Sequence, residues 1–191
     1  MNRFYRRYKS LNRVLIYMVT IASLFTFNPN SYGLSVEEAY RAIPHQRTIF
    51  DEQAAVMPVN EKKFLSEFFV LVDLAMVERV GILLWLTTRG EKGNVAQGYP
   101  DILNKLNALE VPNNLREVHR QVIEAIEQQR QFLDEWKEKG VSSMDIHAHP
   151  KVISASEKLR SAYSLLMQAY PKENARNKQA FFDYLCALDF I

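Results

Sequence analysis

Asp73, Glu78 and Arg79 interrupt a run, Phe68 to Leu86, that is otherwise almost wholly apolar. A charge inside such a run must be paired or it neutralises, and carboxylates with shifted pKa values are candidates for acid–base work or ligand binding. On a helical wheel Glu67 and Glu78 share a face, while Asp73 and Arg79 point in two other directions. The spacing therefore predicts separate ion pairs or helix-edge contacts rather than one ready-made carboxylate site.

A second concentration is the arm from Tyr40 to Asp51, which carries Tyr40, Arg41, His45, Arg47, Thr48 and Asp51. Lying over a helical core, it could form one wall of a pocket, with Arg47 gripping a carboxylate through paired N–H donors. The simpler expectation is a packed strap in which Arg47 pairs with an acid of the core such as Asp73.

The histidines suggest metal or haem chemistry only weakly. His147 and His149 form an HxH pair preceded by Met144 and Asp145, donors that suit copper or zinc. Two further ligands at a recognised spacing are missing. His119 falls between Leu115, Val122 and Ile126 on the apolar side of its segment, where a hydrogen-bonded core histidine is the expectation. Together with His45 it is also a candidate ligand for a noncovalent haem. Cys186, the single cysteine, is expected to be a buried, inert thiol; a nucleophile would need a neighbouring base. No CxxCH occurs, so covalent haem attachment is excluded. ExxH, HExxH, GxSxG and phosphate-binding glycine loops are also absent.

The elements that would hold these groups read as helices. Only 6 Gly and 7 Pro occur in 191 residues, and they cluster between long uninterrupted runs, which favours helices over short strands. Ser35-Val36-Glu37-Glu38 fits a capping box for a short helix reaching about Ala42, and residues 43–58 read as an arm with at most one helical turn. Asn60 is placed to cap a helix over 61–88 whose middle is apolar on nearly every side, as in the centre of a bundle. A short helix is expected over 100–109. Asn113 or Asn114 should cap a helix over 113–139, whose stripe is Leu115, Val118, Val122, Ile126, Leu133 and Trp136. Pro150 suits the first turn of a helix over 150–170 with stripe Val152, Ser156, Leu159, Tyr163, Leu166 and Tyr170. A last helix over 174–189 should bury Phe181, Leu185 and Leu188. Four main helices with mostly short connectors predict an all-α fold, an antiparallel bundle crossed by the N-terminal short helix and strap.

The first 33 residues read differently. Arg3, Arg6, Arg7, Lys9 and Arg13 precede an apolar stretch, Val14 to Phe27, and Ser31-Tyr32-Gly33 offers small residues at a cleavage point before Leu34. That order is a secretory signal peptide. The stretch is shorter than the roughly 20 residues of a spanning helix; failing cleavage, it would tether the domain to the inner membrane. Removing its five basic residues from the total of 24 leaves 19 against 22 acidic ones, too acidic for a nucleic-acid binder.

The resulting expectation is an exported, periplasmic or extracellular domain, residues 34–191, that binds rather than catalyses. Its partner would be another exported or envelope protein, met through the strap or through the charged face carrying Arg116 and Arg120. A small-ligand or metal binder is the alternative, and an enzyme using Asp73, Glu78 and Arg79 beneath the strap is a third reading. Intact-mass measurement on protein from the exported fraction should give a chain that begins at Leu34. A mass that retains residues 1–33 would replace the cleaved signal with an anchor.

Overall fold

The computed structural model describes residues 48–89, 98–139 and 146–189, all within the compact unit His45–Ile191. The signal segment, the capping-box helix, His45, Arg47 and the glycine loop after Arg89 lie outside the described residues. Five α-helices pack together: α1 (Val59–Arg89), α2 (Gly98–Asn107), α3 (Arg116–Lys139), α4 (Pro150–Ala169) and α5 (Ala175–Leu188). Among the described residues there is no strand. No described helix is long and apolar enough to cross a membrane.

Local chemistry sets the helix ends. α1 starts just after Pro58, whose carbonyl accepts from the amides of Glu61 and Lys62 at 3.1 and 3.0 Å. Asn60 lies inside α1 and is not its cap. Asn113 and Asn114 do not cap α3 either. They form a 3-10 turn with Leu115, closed by Leu115 N–H to the Pro112 carbonyl at 2.9 Å. α4 begins at Pro150, whose missing N–H costs nothing in a first turn, and His149 caps it through Nδ1, which accepts from the Lys151 amide. α4 stops ahead of Pro171. Asn174 caps α5 by accepting from the Asn177 amide at 2.8 Å.

The stripes legible in the sequence form the core. Leu115, Val122, Ile126, Val152, Leu166, Phe181 and Leu188 are fully buried, so each removes its apolar surface from water at about 25 cal/mol per Å². α3 packs most extensively on α4; α1 packs on α2, α3 and α5, α2 on α3, and α4 on α5. An aromatic layer joins α1 to α5, with Phe69 stacked on Tyr184 at 4.4 Å between ring centres and Phe181 at 5.9 Å.

α1 departs from the expectation of an all-round buried helix. Leu65, Phe68, Phe69 and Val72 are buried, but Val59, Lys63, Glu67, Val70 and Gly81 face solvent. An apolar run does not say whether a neighbour exists for each of its faces.

The deepest constraint is at the end of α5. The last carbonyls of any helix lack partners within the helix, and here that end sits against three other helices. Arg79 of α1 donates Nη2 to the Ala187 carbonyl at 2.6 Å and Nη1 to the Asp189 carbonyl at 2.7 Å. Gln129 of α3 donates Nε2 to the Leu188 carbonyl at 2.6 Å. Ser156 of α4 donates to the Asp189 carboxylate at 2.5 Å. A guanidinium suits this place because it is cationic at the negative end of the helix dipole and offers two donors in a fixed fork. Replacing Arg79 by Met should cost about 3 kcal/mol in urea unfolding, because two carbonyls lose their donors. Arg79→Lys should recover part of that loss and Gln129→Leu should cost about 1–2 kcal/mol. An Arg79→Met chain as stable as wild type would remove this clamp from the account.

Candidate functional site

The structure separates the acid–base candidates of α1. Arg79 is committed to the end of α5. Burial holds its pKa below the usual guanidinium value, against the opposing pull of Tyr99 and Asp189. Glu78 turns the other way and accepts from the Gly98 amide at 3.1 Å, a carboxylate set at the positive end of α2. A Cβ at position 98 would lie 2.7 Å from that carboxylate, so glycine permits the approach. Asp73 is buried on α1. Glu78 and Arg79 thus serve the ends of two different helices. Tyr99, which sequence reasoning overlooked, is wholly buried beside Arg79, and burial pushes its phenol well above the usual range.

The histidines also hold structural bonds. His119 is half-buried, with Nε2 2.8 Å from the Leu106 carbonyl and its ring near those of Phe64 and Phe68. A carbonyl can only accept, so Nε2 carries the proton and ties α3 to the last turn of α2. His149 spends Nδ1 on capping α4, sets Nε2 3.4 Å from Glu135 and rests on Phe132. His147 belongs to the 3-10 turn Ile146–Ala148, and its side chain lies outside the described residues. Among the described residues no group of three or more metal-ligating side chains occurs. Cys186 is exposed rather than buried, and its thiol is pushed up by desolvation and by Asp189 and Asp183 nearby, the opposite of an activated thiolate.

What the structure does bring together is the strap, residues 48–58, and the groove that holds it. Thr48 N–H donates to Asp183 at 2.8 Å and Asp51 N–H to Asn177 Oδ1 at 2.8 Å. Asn177 Nδ2 returns a bond to the Asp51 carbonyl at 3.0 Å. Asn174 Nδ2 donates to the Ala54 carbonyl at 3.0 Å, and Val56 N–H to Glu173 at 2.8 Å. The partners run in reverse order along α5, so the strap is antiparallel to it. Phe50 is buried between Phe69 and Phe181, and Ala55 is buried further along. Glu173 and Asn177, both buried, were not signalled by any motif. Their one trace in the sequence is a polar cluster, Glu173-Asn174 and Asn177, at the start of a helix.

Beside the strap lies a cavity of about 570 Å³ lined by Phe50, Asp51, Glu52, Gln53, Lys62 and Arg176. Its size is that of a small-ligand or peptide site, and both signs of charge line it. Arg176 lies 3.5 Å from Asp51, and Glu52 accepts from Ser66 at 2.8 Å. Asp51, an arm candidate among the described residues, thus lines this cavity. On α3 Arg120 is enclosed by its own helix, between Glu117 and Glu124, both at 2.5 Å, and Lys158 also pairs with Glu124. No family model, curated protein or solved structure matches the chain, so the site is read from its own chemistry.

The charged face yields a pH dependence. Hydrogen bonds from Arg120 and Gln121 hold Glu117 down at about 2, and those from Lys158 and Arg120 lower Glu124. A depressed carboxylate stabilises the fold above its unfolded pKa, about 4.3, and loses that contribution as pH falls through its folded value. The melting temperature should therefore decline between about pH 4.5 and 2, less steeply at high salt because the groups are exposed. Glu117→Gln with Glu124→Gln should flatten the decline; an unchanged slope would assign the acid sensitivity elsewhere.

Proposed function

We propose that the protein is an exported, non-enzymatic interaction module, in which residues 34–191 form an antiparallel helical bundle that binds another envelope or exported protein on its strap side. The bundle arrangement is supported by the five-residue link between α4 and α5 and by the close packing of α3 on α4, since short connectors join antiparallel neighbours. Export rests on the basic, apolar and small-residue order of positions 1–33.

One observation carries the choice of surface. Of the six large apolar side chains exposed among the described residues, four belong to the strap and the adjoining start and outer side of α1: Ile49, Val56, Val59 and Val70. Val59 and Val70 are eleven residues apart, about three helical turns, and so share a side of α1. Exposed apolar residues gathered beside a mixed-charge groove are the composition of a protein-binding surface. The face of α3 is less suited, because Arg120 is already saturated by its own acids. The bonds held by Glu78, Arg79, His119 and His149 support a binding role over a catalytic one, since each group is engaged in holding helices together.

A photocrosslinking residue at Val59 or Val70 should capture a defined partner in the exported fraction, while one at Arg160 on α4 should not. Val59→Asp with Val70→Asp should abolish that capture and leave helicity and melting nearly unchanged, as surface substitutions do. Capture that is equal at all three positions, or indifferent to the double substitution, would overturn the choice of surface.

A further inference from the structure

Almost everything that holds the strap acts on its backbone. Five main-chain groups, the amides of Thr48, Asp51 and Val56 and the carbonyls of Asp51 and Ala54, are taken by four side chains, Asp183, Asn177, Asn174 and Glu173. Backbone groups are the same in any sequence, so these contacts do not themselves read side chains, but they require the shape of the strap, in which residues 52–54 form a turn and the Asp51 carboxylate accepts from the Ala54 amide at 3.1 Å. Asn177 is the centre of the device. Its amide makes the two-way exchange with Asp51 that a β-strand would make with a neighbour, and it is itself fully buried and braced by Glu173.

The strap's buried side chains are Phe50 and Ala55, while Asp51 lies 3.5 Å from Arg176 and Glu52 accepts from Ser66 at 2.8 Å. Phe50 enters the aromatic layer of Phe69 and Phe181, and Ala55, five residues on, is buried. Between and beside them Ile49, Glu52, Gln53, Ala54 and Val56 are exposed. The strap connects to α1 only through Met57 and Pro58, and the residue before a proline favours an extended conformation. Such a segment is attached as a tethered ligand would be, at a high effective concentration.

We infer that the groove between α1 and α5 is a peptide site that binds mainly through the backbone, that residues 48–56 are its resident occupant, and that it accepts in trans a segment of the same shape, bearing an aromatic residue, an Asp directly after it that holds a turn, and a small residue five positions after the aromatic one. This rests on the binding role argued above and names the class of partner. A strap supplied by a second copy satisfies the same chemistry by exchange.

The test uses the full chain and a capped synthetic peptide with the sequence of residues 48–57, TIFDEQAAVM. In wild type the resident strap competes, so the peptide should bind weakly. In Phe50→Ala the strap loses its anchor and the peptide should bind at least about tenfold more tightly, as competition by a tethered ligand requires. N-methylation of the peptide at Asp51 should abolish that binding, whereas N-methylation at the solvent-facing Gln53 should not. These modifications leave the protein untouched, so misfolding cannot imitate the result. A Phe50→Ala dimer in native mass spectrometry that the peptide dissolves would support the site with a second copy as donor. Equal binding by both chains, or equal effects of the two N-methyl groups, would overturn it. If Val59→Asp with Val70→Asp still abolishes capture in that event, the interaction role stands and only the groove falls.

Discussion

The buried carboxyl end of α5 is the constraint on which the remaining structure depends. Three backbone carbonyls at a helix terminus, turned into protein rather than water, each need a donor, and an unmet one costs about 1–3 kcal/mol. Arg79 on α1 serves two of them and Gln129 on α3 the third, while Ser156 on α4 donates to the Asp189 carboxylate beside them. This explains a charge in the middle of an apolar run. A guanidinium buried without partners would be prohibitive, but at the negative end of a helix its charge is matched by a dipole and its fork by two carbonyls. One residue before it, Glu78 does the complementary service, presenting a carboxylate to the positive end of α2. Adjacent side chains of α1 thus fix the ends of two different helices.

α5 carries a second duty at its other end. Its first turn and the residues before it supply Glu173, Asn174 and Asn177, whose polar atoms meet the strap's main chain. Within the strap the Ala54 amide finds a partner in the Asp51 carboxylate, but other buried main-chain groups of a segment without helix or strand require outside ones. α5 supplies these, while α1 and α5 together supply the aromatic seat for Phe50. The contacts span 117 to 135 residues of sequence from Val56–Glu173 to Thr48–Asp183. The groove is therefore complete only once α5 has docked, and the clamp on the end of α5 is also what positions the strap's partners.

Much of this was legible from residue spacing, and the failures have common causes. The stripes of α3, α4 and α5 emerged from their 3.6-residue period because a helix with one buried face must repeat that way. The breaks at Pro150 and Pro171 followed from proline's missing amide. α1 was harder, because a run apolar on most sides has no period from which to infer which side is open; Val70 faces solvent and Val72 does not. Asn60, Asn113 and Asn114 were read as caps by residue type, yet helix ends are decided by which group reaches the amides first. At α1 that group is the Pro58 carbonyl, and Asn114 instead donates towards Tyr170. Cys186 was placed inside by its apolar neighbours and lies outside by a single step of the helix. The candidate site was least legible of all. Asp51 was visible as part of a polar arm, but Asn177 and Glu173 act on main-chain atoms, and a bond to a backbone leaves no complementary residue type to search for.

That same feature sets what the strap can be. If specific side-chain pairs fixed it, its sequence would be its only possible occupant. It is held largely by groups that every peptide carries, with selectivity left to the aromatic seat of Phe50, the buried Ala55 and the Asp51 carboxylate that holds the turn. A contact of that kind favours its own segment mainly through tethering, which raises local concentration without adding a single bond. The exposed apolar residues then have a physical setting. Ile49 and Val56 sit on the outer side of a segment whose inner side is already satisfied, and Val59 begins the helix to which that segment is tied. A partner meeting those residues meets the strap first, so any change in how the strap is seated alters the surface that the partner sees.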